Sequence, residues 1–175
     1  MTWYQNVFEL IDMRSFSNLW FWIMLAVLWS SVSHWVLGVP WDMVQRARRE
    51  PEGEAGQDLR DMVRINVNRI LYIASQSGLL LTGFLCFALT VMLVIGFFFG
   101  RQFAQALFLL SLPMSLIGLL SVATARKLRR DTPDMEALFK RLGRHRTITQ
   151  VIGMISIFIT AIWGMWQNMN ASVLF

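Results

Sequence analysis

The chain has 175 residues, with 16 Lys or Arg, 11 Asp or Glu and a net charge of +5. Every one of those charges lies outside four stretches, Ser15–Trp41, Ile70–Gly100, Gln102–Ala125 and Thr147–Phe175. Each stretch supplies the roughly 20 residues of apolar helix that cross a hydrocarbon core about 30 Å thick, which excludes a water-soluble globular domain. One cysteine, Cys86, and two histidines, His34 and His145, exclude a disulfide framework, a Cys-rich zinc site and an iron–sulfur cluster within the chain. No Gly-rich phosphate loop, His-Glu-x-x-His or Gly-x-Ser-x-Gly motif occurs.

Residues 1–15 alternate apolar Tyr4, Val7, Phe8 and Ile11 with polar Gln5, Asn6, Glu9 and Asp12 at helical spacing. This predicts an amphipathic helix on the membrane surface, an anchor for the first span or a docking helix for a partner. The first span is expected over 16–37. Acidic Glu9 and Asp12 precede it where a signal peptide carries a basic region, and the apolar run is too long for one, so it reads as a retained transmembrane helix.

Residues 42–69 form a first charged loop. Arg46, Arg48 and Arg49 precede a short acidic segment rich in Gly and Pro, Glu50–Gly56, expected to be a flexible turn with no core of its own. Asp58 or a neighbour then caps a helix leading into the second span, 77–98. The third span is expected over 105–125, kinked at Pro113, and the fourth over 148–168. The second charged loop, 126–146, holds Thr132 as N-cap, Pro133 in the first turn and Gly143 at the end of a short amphipathic helix. Its apolar face is Met135, Leu138, Phe139 and Leu142, with Lys140 and Arg141 at the basic end. The architecture predicted is an all-α integral membrane four-helix bundle, a single membrane domain with short amphipathic interfacial helices.

The two loops hold fourteen of the sixteen basic residues. Loops rich in Lys and Arg stay on the cytoplasmic side, which orients both termini toward the periplasm of a bacterial inner, or plasma, membrane. Tryptophans gather at interfaces, and Trp20, Trp22, Trp163 and Trp166 at one level with Trp35 and Trp41 at the other agree with that orientation.

The spans contain no Asp, Glu, Lys or Arg, so nothing in them suggests an ion or proton pathway. His34, late in the first helix beside Ser31 and Ser33, is expected to hydrogen-bond within the bundle and is the candidate cofactor-binding residue for a haem or quinone. His145, between Arg144 and Arg146, reads as a solvated headgroup contact. No cofactor and no metal are required by the sequence. Gly96 and Gly100 have the small-xxx-small spacing of close helix contacts, although a turn explains Gly100 equally well. Residues expected to meet anionic headgroups or a protein partner are Arg46, Arg48, Arg49, Met135, Leu138, Phe139, Leu142, Lys140 and Arg141. The arginines are already accounted for by topology and interleaved with acids, so no nucleic acid is expected as a partner.

Three segments carry a resemblance: Phe8–Trp20 (FELIDMRSFSNLW), Ser33–Pro40 (SHWVLGVP) and Arg64–Arg69 (RINVNR). In these the chain resembles a family of small membrane proteins of photosynthetic and marine alphaproteobacteria, often labelled "component of SufBCD complex", and the likeness extends over most of the chain. The resemblance implies a link to iron–sulfur cluster assembly, as a tether acting through the cytoplasmic loops, and transfers no catalytic residue. The function expected is that of a non-enzymatic inner-membrane accessory, anchor or assembly protein; the alternative is a haem- or quinone-binding redox subunit using His34. Alkaline phosphatase fused after Phe175 should be active and fused after Gly53 inactive, and the reverse pattern would overturn the orientation.

Overall fold

The computed structural model describes residues 15–172; the amphipathic segment expected over 1–15 lies outside them apart from Ser15. The described residues form an all-α protein. Its elements are α1 (Leu19–His34), a hairpin of two-residue strands β1 (Trp35–Val36) and β2 (Val39–Pro40), α2 (Trp41–Arg49), α3 (Glu54–Leu93), α4 (Gln102–Asp131) and α5 (Met135–Ser172). By length and composition α3, α4 and α5 can each cross a membrane; α1 is apolar but has only 16 residues, about 24 Å of helix.

Local chemistry sets these bounds. Asn18 caps α1, its side chain accepting from the Trp20 amide at 3.0 Å. The helix stops at His34, short of the expected Leu37, because Leu37 (φ 53°) and Gly38 (φ 76°) both take positive φ. That is the backbone a tight hairpin turn requires, and glycine adopts it without strain. The hairpin pairs Trp35 with Pro40 and Val36 with Val39, and Asn66 Nδ2 of α3 donates to the Gly38 carbonyl at 3.2 Å.

The acidic segment is reduced to a turn at 50–53, and Gly53, not Asp58, is the N-cap of α3. From there α3 runs unbroken through the start of the expected span at residue 77 and ends in a π-helical turn, Val94–Phe98. Helix α4 likewise runs through Pro113 and past Ala125 to Asp131, where Thr132 takes left-handed φ of 36°. Thr132 therefore ends one helix instead of beginning the next. The true cap of α5 is Asp134, which accepts from the Ala137 amide at 3.1 Å. Gly143 terminates nothing: α5 continues through it, because Leu142, His145 and Thr149 hold one buried face across that point.

Two cores result. At the charged end, Val39, Val44, Leu59 and Leu142 are fully buried together, joined by Val36, Leu37, Trp41, Val63, Leu128, Met135 and Leu138. Hairpin, α2, the start of α3, the end of α4 and the start of α5 all contribute, so the two expected loops fold into one small globular unit. In the apolar half, Leu25 and Trp29 of α1 meet Ile117 of α4 and Ile152 of α5. A Cβ at Gly153 would lie 2.7 Å from the Trp29 ring, so the indole packs where only a glycine leaves room.

Helix α3 lies to the side of this three-helix core, packed on α4, and none of its most apolar window is buried. Leu79, Leu80, Phe84 and Phe87 stand exposed. A continuous uncovered apolar surface of this length is what a helix that crosses a membrane presents. Leu142→Ala should cost about 2–5 kcal/mol and lower the thermal midpoint in detergent, whereas Leu80→Ala should leave it nearly unchanged; equal midpoints would show that the charged-end core does not carry the fold.

Candidate functional site

The charged end gathers most of the residues singled out from sequence, in unequal roles. Because α5 begins at Met135, the face carrying Met135, Leu138 and Leu142 turns inward, and these three side chains are buried in the protein's own core. They are thus not available to a membrane surface or a partner, contrary to expectation: the hairpin, α2 and α3 supply the apolar cover that an isolated helix would have sought elsewhere. Phe139 is half-buried at the edge of the same core.

The basic residues divide in the same way. The Arg48 guanidinium lies 5.6 Å from both the Trp41 and Phe139 rings, while Arg146 from α5 stacks at 4.4 Å over Trp41 and donates to the Ser33 carbonyl at 3.3 Å. Two cations on one indole join the start of α2 to α5 and the end of α1. Arg141 donates to the Lys127 carbonyl at 3.1 Å and to Asp131 at 2.7 Å, clamping α5 on the end of α4. Hydrogen bonds from Arg130 first, and then from Arg141, hold the Asp131 carboxyl below its ordinary range. Arg48 and Arg141 are therefore structural ties. Arg46, Arg49 and Lys140 remain exposed, Arg46 with only a 3.8 Å contact to Asp42.

The histidines exchange places relative to the sequence reading. His34 is exposed at the end of α1, 3.6 Å from Asp42, outside the bundle interior in which a haem or quinone ligand was sought. His145 is buried, its Nε2 3.2 Å from Ser121 Oγ of α4. The continuous α5 explains this, since residue 145 shares the inward face with Leu142 and Thr149 while Arg144 points out. Among the described residues no group of three or more His, Cys, Asp or Glu is placed to hold a metal.

At the far end, Gln105 escaped sequence reading because an amide near a helix start looks like a solvated cap. It is buried, its Nε2 donating to the Gly96 carbonyl at 2.9 Å and its Oε1 accepting from Trp163 Nε1 and Gln167 Nε2, both at 3.0 Å. A Cβ at Gly96 would come within 2.9 Å of the Gln105 amide nitrogen, so Gly96 serves internal packing, and Gly100 (φ 68°) serves the turn. Thr82 and Thr90 return hydrogen bonds to their own helix, at 2.7 Å and 2.8 Å. Ser156, with Thr149 and Thr160, lines the buried face of α5.

No protein-family model, curated protein or solved structure matches the chain, so the geometry stands by itself.

Burial lowers the pKa of His145, which lies ahead of the apolar run of α5, below its ordinary 6.5. The unfolded chain then takes up a proton near pH 6.5 that the folded protein refuses, so stability is full above that pH and is lost as pH falls toward the folded pKa. The thermal midpoint should decline between pH 7.5 and 5.5, and His145→Gln should flatten the decline; an equal slope in both proteins would show that His145 does not titrate on unfolding.

Proposed function

We propose that the protein is a non-enzymatic accessory or assembly factor of a bacterial inner membrane, whose apolar helices anchor a small folded unit displayed on the cytoplasmic face. The single observation that carries this reading is the shared core of the two charged segments. Burying Leu59, Leu142, Val39 and Val44 together gives the basic surface a fixed shape, and a pre-shaped surface loses less conformational entropy on binding than a flexible loop. Arg46, Arg49 and Lys140 supply exposed positive charge on that surface, suited to an acidic protein face. The non-enzymatic reading rests on the roles of the titratable groups: His145 sits in packing contact with Ser121, and Asp131 is engaged with Arg130 and Arg141.

Iron–sulfur assembly proteins are the first partners to test, on the strength of the sequence resemblance. Mild-detergent purification with crosslinking should recover a stoichiometric partner, and Arg46→Glu with Arg49→Glu and Lys140→Glu should reduce its recovery at least tenfold without changing the thermal midpoint. Recovery of the unmodified protein alone in several detergents would remove the anchor reading.

A further inference from the structure

In α3 the charge-free run begins after Arg69 and in α4 it ends before Arg126, and an open cleft between the two helices is lined from both of these junctions. It measures about 570 Å³ and is lined by Asn68, Tyr72 and Ser75 of α3 and Arg126 and Arg129 of α4, with Leu71 on its apolar side. A second hollow of about 280 Å³ adjoins it toward the charged end, sharing Asn68 and Arg129 and adding Arg60 and Arg64. No carboxylate lines either hollow. Arg64 is engaged by Asp61 at 3.0 Å; Arg60, Arg126 and Arg129 form no ion pair among the described residues.

Arg129 lines both hollows, with Arg126 on the first and Arg60 on the second, and these exposed guanidinium groups without an acidic partner among the described residues match the paired oxygens of phosphates. The depth of the cleft selects the kind of phosphate. Tyr72 stands exposed where the charges stop, the usual level of an interfacial tyrosine, and the next turns of α3 present exposed Leu79 and Leu80, which suit acyl chains. Ser75 already donates its hydroxyl to the Tyr72 carbonyl at 2.9 Å, leaving the arginines, the Asn68 amide and the Tyr72 hydroxyl as donors. The two hollows meet at Arg129, an arrangement for two phosphates joined by a short linker. We propose that this cleft binds the headgroup of an anionic phospholipid carrying two phosphates, of the diphosphatidylglycerol type, with Arg126 and Arg129 on one phosphate and Arg60 with Arg129 on the other. Basic pockets between membrane helices at the headgroup level are suited to such lipids.

The test uses full-length protein in mild detergent, exchanged with diphosphatidylglycerol, with phosphatidylglycerol or with phosphatidylcholine, and native mass spectrometry to count retained lipid. The two-phosphate lipid should be retained about tenfold better than phosphatidylglycerol, and phosphatidylcholine should be lost. Arg126→Gln with Arg129→Gln should abolish retention, whereas Arg46→Gln with Arg49→Gln should not. Arg60→Gln, an exposed change that leaves the core intact, should reduce retention of the two-phosphate lipid to the phosphatidylglycerol level. Equal retention of both anionic lipids, equal loss in the two double variants, or displacement by millimolar inorganic phosphate would each overturn the proposal, the last by assigning the cleft to a soluble phosphate.

Discussion

Everything at the charged end depends on one act of burial, the meeting of Leu142 with Leu59, Val44 and Val39. None of the segments that supply these residues can hide its apolar face alone: α2 has nine residues, the hairpin has two-residue strands, and the starts of α3 and α5 are amphipathic. Helices of that length are marginal in isolation. Packed together they exclude water from a common core, and the polar ties then acquire their geometry. Asn66 reaches the Gly38 carbonyl and Arg146 lies over Trp41 because the apolar contacts have already fixed the backbones. The exposed arginines and the cleft between α3 and α4 inherit their positions from the same core.

The apolar half is organised by different forces. Lipid offers no hydrophobic gain for helix association, so close packing and buried hydrogen bonds replace it. Gly153 beneath Trp29 supplies the first, and Gln105, bonded to Gly96, Trp163 and Gln167, supplies the second. One glutamine side chain thus holds the ends of three helices together with its carbonyl and amide both satisfied. Helix α3 meets this network only at its end, through Gly96 and Phe97, and packs mainly on α4 while its most apolar window stays uncovered.

The all-α class and the three helices long and apolar enough to cross a membrane were legible in the sequence because charge is excluded from them over more than twenty residues at a time, whereas the first of the four expected spans, 16–37, folds as an apolar helix of 16 residues followed by a hairpin. The positions of Met135, Leu138 and Leu142 on one helical face were legible as well. What they face was not, since an amphipathic pattern states that a face must be covered and not by what. The same limit misplaced the histidines. Flanking arginines made residue 145 look solvated, yet the phase of α5 is set by Leu142 and carries His145 inward. Gly143 misleads for a related reason, since a residue that often stops helices also occurs where tertiary packing keeps a helix going, and Thr132, a residue suited to starting a helix, here closes the preceding one in left-handed backbone. Gln105 gave no signal at all, because its three partners come from sequence-distant turns that only the folded bundle brings together.

The continuity of α3, α4 and α5 has a mechanical meaning. None of them breaks where charge gives way to apolar sequence, so each carries its apolar arm and its arm in the charged-end core on one continuous axis. A span that meets a thicker or thinner bilayer changes its tilt. Arg60, Arg126 and Arg129 stand on the same helix axes as the apolar runs, so a change of tilt between α3 and α4 would change the spacing of the basic cleft.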